Sequence, residues 1–440
     1  MKYISTRGQA PELSFEEAML TGLARDGGLY LPSDIPQFSH EEIAALSGLS
    51  YEETAFRVMR PYLGDTFADD EFRAIIARAY DGFGHAARAP LKQLAPNHFL
   101  LELFHGPTLA FKDFAMQLIG QMFEAALKRR GERVTIVGAT SGDTGSAAIE
   151  AFRGLDAVDV FILFPHGRVS EVQRRQMTTV QAANIHNLAV DGSFDDCQAM
   201  VKTAFRDGAL RAEVRMTSAN SISLGRLLPQ MVYHAATALQ VAARSGGPVG
   251  LVVPTGNLGN ALAAWLAGAL GAPIHSVVLA TNRNDVLVDW SRTGRFEART
   301  AIPTLANAMD VGLPSNLERL RWFLDRGVQG PAIHAVSVDD ERIRGMLARA
   351  PERYGHVVCP HTACALEAYE TVEACREGPW VAAATAHPAK FDEVVEPVIG
   401  EEVPLPAPLA ALLARPRHAH PLQPTDAALR TVLTRPLGLA

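Results

Sequence analysis

Apolar and polar positions along the chain fall into three regimes. Up to about residue 95 the spacing is helical and interrupted by turns. SFEEAMLTGLA starts at Ser14, a serine placed to cap a helix, and DGGLYLP (26–32) reads as a glycine turn entering a short extended piece. From about residue 96 short apolar runs alternate with helical spacing. FKDFAMQLIGQMFEAALKRRG puts Phe114, Leu118, Ile119, Met122, Phe123 and Ala126 on one helical face and stops at basic residues and Gly131. RVTIVG and DVFILF follow as strands around a loop and a helix. A second series has the strands VGLVVP, IHSVVLAT, GHVVC and WVAAAT, with the helix ALAAWLAGAL after the first. Apolar strands separated by helices predict parallel sheets covered on both faces.

The expected fold is therefore α/β. It has two open, mostly parallel twisted sheets with flanking helices and a crevice between them, behind a mainly helical N-terminal region. The predicted division is 1–95, 96–225 and 226–440. The last part ends in a proline-rich tail from about residue 400, read as a short helix and coil on the surface.

Composition narrows the class. An apolar content of 48% and a charged content of 20% describe an ordinary globular chain, and 440 residues exceed one domain. A net charge of −7 argues against nucleic acid as a general partner. Residues 246–282 carry no Asp, Glu, Lys or Arg, but Pro254, Asn257, Asn260 and several glycines break the run well short of the ~20 residues a membrane span needs. No membrane partner and a cytoplasmic location are expected. Cys197, Cys359, Cys364 and Cys375 read as free thiols. CPHTAC (359–364) mimics a metal motif through Cys359, His361 and Cys364, yet no second ligand pair lies nearby, so no metal is expected.

The chemistry is concentrated at one lysine and two loops. Lys112 sits between the apolar turn Leu109–Phe111 and a buried helix, where desolvation lowers an amine's pKa and makes it a nucleophile toward a carbonyl. A snorkelling lysine at a helix start is the bland alternative. GATSGDTGSAA (138–148) and PTGNLGNALAAW (254–265) each turn from a strand into a helix, and small residues there let backbone amides converge on an anion. Asp143 in the first loop could equally cap its helix.

Together these residues resemble the threonine synthase family, pyridoxal-phosphate enzymes of the tryptophan-synthase-β-like fold. The resemblance runs through DGGLYLP, LFHGPTLAFKD (103–113), ATSGDTGSAA (139–148), GRVSEVQRRQMTT (167–179), PTGNLGN (254–260), PHTACA (360–365) and TAHPAKF (385–391), and covers little beyond about residue 400. It implies pyridoxal 5′-phosphate bound covalently at Lys112. Thr255, Gly256, Asn257, Leu258, Gly259 and Asn260 would hold the cofactor phosphate, Thr362 the pyridine nitrogen, and Asp143 would lie near the ring oxygen. Thr362 has its own bland alternative as a helix cap. The implied substrate is O-phospho-L-homoserine, converted with water to L-threonine and phosphate. Its expected contacts are Ser141, Gly142, Thr144, Asn220, Ser221 and Lys390, with Arg168 and Arg226 behind. TSANSISLGRLLPQ (217–230) departs from the family pattern SIN-aromatic-ARLLPQ at Ser223, Leu224 and Gly225. A phospholyase or a serine/threonine dehydratase on the same fold, and a non-catalytic binding protein, are the competing readings. A monomer and a homodimer are both compatible with the sequence.

Overall fold

The computed structural model describes residues 1–140, 142–218 and 222–435. Its strands, in chain order, are β1 Tyr3–Ser5, β2 Tyr30–Pro32, β3 Leu91–Ala95, β4 His98–Glu102, β5 Val134–Ala139, β6 Val158–Pro165 and β7 Ile185–Val190. They continue as β8 Met216–Thr217, β9 Val249–Pro254, β10 Ile274–Thr281, β11 Ala332–Ser337, β12 Trp380–Ala384 and β13 His420–Leu422. A six-stranded sheet has the order β11-β10-β9-β12-β4-β3, parallel except for the β3–β4 hairpin. A five-stranded sheet has the order β13-β7-β6-β5-β8 and is parallel throughout. The expected α/β class with two mostly parallel sheets is what the chain forms.

The sheets interleave the chain. β3 and β4 join β9–β12, whereas β13, from the far end of the sequence, extends the sheet of β5–β8. In the N-terminal region Ser14 caps Phe15–Thr21 with a reciprocal bond to Glu17, as its spacing predicts. DGGLYLP ends in β2, which pairs antiparallel with β1.

The helix Lys112–Arg130 ends at Gly131 in the left-handed conformation. Its predicted apolar face is buried, but so are Asp113, Ala115, Met116, Gly120 and Leu127. Helix Asp143–Phe152 packs so closely that a Cβ on Gly120 would stand 2.4 Å from the Ala151 carbonyl oxygen. A helix covered on nearly every side cannot be recognised from one stripe.

Two expectations need correction. GHVVC is not a strand: residues 356–359 run irregularly from one helix into the next, because Pro360 starts the helix Pro360–Thr371. The tail is more than helix and coil. β13 lies between the helices Ala407–Leu413 and Asp426–Thr434 and pairs with β7 through only three residues, too few to show a strand period. The uncharged run 246–282 becomes β9, a helix and β10, and no described helix is long and apolar enough to cross a membrane.

Candidate active site

Ligands of open α/β sheets bind beyond the carboxyl ends of the strands. Three neighbouring strands of the six-stranded sheet, β9, β12 and β4, each send a loop there, as does β5 of the other sheet. These loops carry residues 255–260, 385–390 and 103–112, and residues 140, 142 and 143.

The loop before Lys112 is fixed from two sides. Phe111 donates its N–H to Thr385 O (2.8 Å) and His387 donates to Leu109 O (3.0 Å), joining it to the loop after β12. From within, Asp113 accepts from Thr108 N (2.9 Å) and Thr108 Oγ1 (2.6 Å), and a Cβ on Gly106 would collide with it at 2.4 Å. Leu109 takes φ 61°, a costly conformation for a branched side chain that this bonding enforces.

Lys112 Nζ lies 3.6 Å from Asp143 Oδ2, and the fully buried Lys390 lies 2.7 Å from Asp143 Oδ1. Gln173 donates to the same Asp143 oxygen at 3.0 Å. Thr108 O accepts from Lys390 (2.6 Å) and from Gln176 (3.0 Å), so one helix, Glu171–Thr178, supports both acceptors. Burial lowers the pKa of Lys112 from its ordinary value; Asp143 opposes this, while Arg226 and Lys390 push further down. Burial pushes the Asp143 carboxyl up, but Lys390 and Lys112 outweigh it and hold the group well below the usual carboxylate range. Asp143 does not cap its helix. Gly142 takes the cap position at φ 148°, and the carboxylate serves the two lysines.

The second loop contains no charge. Thr255, Leu258 and Asn260 are buried and Gly256, Asn257 and Gly259 partly so. Leu258 sits at φ 63°, just before the helix Gly259–Leu270, whose first N–H groups have no intrahelical acceptor. A Cβ on Gly256 would meet the Met309 backbone at 2.7 Å. Asn260 accepts from Tyr233 OH and His234 Nε2, both at 2.8 Å, while its Nδ2 is buried without a partner among the described residues. Burial holds the His234 pKa down to about 4, so it donates as a neutral ring.

Thr362 is buried 3.2 Å from Cys359 Sγ. It is not the helix cap: Cys359 caps Pro360–Thr371 and accepts from Thr362 N, placing Thr362 in the first turn. His361 accepts from Ala308 N at 3.1 Å, and burial lowers its pKa to about 4. Cys364 donates to Thr281 O. Of the three side chains of the metal-like motif, Cys359 and His361 touch each other (Sγ to Nδ1 3.9 Å), while Cys364 bonds to β10. Thr362 also lines a cavity of about 740 Å³ with Leu109, Ala384, Ala386 and His387.

Lys112, Gly142, Asp143, Lys390, the loop 255–260 and Thr362 all lie on loops and helix starts beyond these strand ends; Thr144 follows Asp143, half-buried. Ser141, Asn220 and Ser221 lie outside the described residues. Asp113, Thr108, Gln173, Gln176 and His361 were assigned no role from the sequence. Gln173 and Gln176 share a helix face within VQRRQ, a spacing that could have signalled them.

Family models match along nearly the whole chain. "Threonine synthase N terminus" covers residues 2–80, "Pyridoxal-phosphate dependent enzyme" 85–384, and "Threonine synthase, C-terminal" 362–432. The chain belongs to the threonine synthase family of pyridoxal-phosphate dependent enzymes. The C-terminal match corrects the expectation that the likeness fades beyond residue 400. The threonine synthase of Pseudomonas aeruginosa is 46% identical over 94% of both chains. Pyridoxal-phosphate-bound threonine synthase from Brucella melitensis superposes with a TM-score of 0.93 at 41% identity, over 99% of each chain. The yeast structure gives 0.91 at 33%, over 98% of each. Maize serine racemase, at 18% identity and a TM-score of 0.55 over 72% of this chain and 92% of its own, shares the fold alone.

The residues present fit the cofactor of this family. A desolvated lysine, an orphaned buried amide at a helix start and a glycine with no room for a side chain suit an aldehyde and its phosphate.

Proposed function

We propose that this chain converts O-phospho-L-homoserine and water to L-threonine and inorganic phosphate, with pyridoxal phosphate attached at Lys112. The observation that carries this reading is the buried Lys112–Asp143–Lys390 cluster, set at the same strand ends as an uncharged amide loop. Bound there, the cofactor supplies the electron sink for carbanions at the substrate's α and β carbons.

Lys112 Nζ, released when the substrate's amino group takes its place on the cofactor and a weaker base than a surface lysine, would take the proton from Cα and afterwards move protons at Cβ and Cγ. Asp143 remains ionised throughout and steadies the ammonium form of Lys112 between these transfers. Residues 255–260 bind the cofactor phosphate through backbone amides and Asn260 Nδ2. Thr362 offers the pyridine nitrogen a neutral hydroxyl. Unlike a carboxylate, it does not force that nitrogen to be protonated, which disfavours transamination. Lys390 has three N–H donors and engages Asp143 and Thr108 O, so a substrate phosphate reaching it would be a third partner. Ser141, Gly142, Thr144, Asn220 and Ser221 stay assigned to the substrate. Four buried free cysteines suit a reducing cytoplasm.

The test supplies O-phospho-L-homoserine in deuterated water. Threonine and phosphate should form in equal amounts, with deuterium at Cα. Phosphate accompanied by 2-oxobutyrate would make the chain a phospholyase. Deamination of L-threonine or L-serine with phosphohomoserine ignored would make it a dehydratase.

A further inference from the structure

Arg319, on the helix Leu317–Leu324, is fully buried, and none of its partners is a carboxylate. Its Nε and Nη2 donate to Tyr30 O (3.0 and 2.8 Å), Nη2 also to Ile222 O (2.6 Å), and Nη1 to Asn316 Oδ1 (2.8 Å). Among the described residues no acidic side chain forms an ion pair with it; neighbouring Glu318 pairs with Arg7. A buried guanidinium held only by neutral oxygens is costly, and burial pushes its pKa down to about 9.

Its placement points to the reason. Asn316 accepts from Arg319 through Oδ1 and donates through Nδ2 to Asn257 O (3.1 Å), inside the uncharged loop. Ser315 N holds the Asn257 side chain at 2.6 Å. In a trans peptide the C=O and N–H point in opposite directions. Tying Asn257 O to Asn316 therefore turns the Leu258 N–H away from Arg319, and the charge at the head of the chain polarises that peptide in the direction that strengthens its N–H.

We propose that Arg319 is the positioning residue of the cofactor-phosphate loop. It acts through Asn316 to orient and polarise the Asn257–Leu258 peptide, and supplies from a distance the positive charge that residues 255–260 lack. The proposal rests on the reading of that loop as the phosphate site. Tyr30 and Ile222 serve as its fixed anchors, linking the N-terminal strand β2 to the loop.

The experiment measures binding of pyridoxal phosphate and of pyridoxal, which has no phosphate, to apo-protein by fluorescence quenching. The ratio of the two affinities isolates the phosphate from the rest of the site. Arg319→Met should lower that ratio about tenfold, the scale of one charge-assisted hydrogen bond, with pyridoxal affinity unchanged; Arg319→Lys should recover part of it. Asn316→Asp gives Arg319 a better partner while removing the donor to Asn257 O. It should lower the ratio in a protein that still folds, and it carries the test alone if Arg319→Met does not fold. An unchanged ratio in folded Asn316→Asp overturns the proposal. A wild-type protein with no preference for the phosphorylated form would instead overturn the reading of the loop itself.

Discussion

The two glycine loops share a plan, strand to tight turn to helix, and manage charge in opposite ways. Around Asp143 the contacts are ionic: two lysine side chains and one carboxylate are packed out of water, with Gln173 and Gln176 fixing the geometry. Between residues 255 and 260 no side chain is charged, and under the proposed function backbone amides would do the holding. A group that gives and takes protons needs neighbours that stabilise both states of the amine. A phosphate that stays bound with constant charge needs only oriented dipoles, which cost no proton uptake when it binds. On the proposed roles, the need to move protons rather than nearness to an anion separates the chemistry of the two loops.

The contrast is broken most completely at Lys112. Lys112→Ala should abolish turnover, with about 10²–10⁴-fold attributable to proton transfer alone, and should lose the reducible cofactor linkage found by peptide mapping after borohydride treatment. A linkage surviving at another lysine would remove Lys112 from its role. Asp143→Asn should follow, with kcat down on the order of 10²-fold. Removing the carboxylate that opposes the lowering of the Lys112 pKa should also move the acidic limb of the kcat profile to lower pH; a limb that stays in place would separate Asp143 from the base.

Gly256→Ala attacks only the neutral loop. Its new Cβ would press on the Met309 backbone, a strain of about 1–3 kcal/mol. Cofactor affinity should fall accordingly while kcat at saturating cofactor barely changes, as equilibrium dialysis and kinetics would report. A fall in kcat alone would mean that the two loops are not separable.

The smallest effect concerns Asp113, whose carboxyl burial raises to about 6 despite bonds from Thr108. Between about pH 4 and 6 the folded state then binds more protons than the unfolded one, so this group's contribution to stability declines as pH rises and is constant above. Buried His234 and His361, both lowered to about 4, act in the opposite direction over the same window. Comparing urea unfolding of wild type and Asp113→Asn isolates the carboxyl. The difference between them should shift by on the order of 2 kcal/mol in favour of the variant between pH 4 and 7; a constant difference would contradict a raised pKa.

Much of this contrast was legible in the sequence because it is local. Lys112 after an apolar turn, SGDTG at a strand end and PTGNLGN before an apolar helix each carry their signal within about a dozen residues. The same locality explains what was missed. Lys390 meets Asp143 across 247 positions of chain, and Gln173 meets it across 30; neither pairing leaves a periodic trace. Thr362 has a helix cap as its alternative reading because threonine often caps, but the cysteine three residues earlier takes that position. GHVVC has strand composition, yet residues 356–359 pair with no described strand and lead directly into the helix that begins at Pro360.

The strand β13 carries a consequence of another kind. Its three residues lie alongside β7, and Leu429 and Leu433 of the following helix belong to the same buried apolar cluster as Leu188 and Val190 of that strand. The end of the chain thus works as a hem sewn along one border of the five-stranded sheet. A chain cut before His420 would keep every residue of the lysine cluster and of the phosphate loop. What it would lose is the cover on a fully buried strand, leaving a bare row of backbone donors and acceptors ready to pair with the same border of another molecule. Its failure would be seen as clumping at high concentration, with the chemistry of each surviving molecule intact.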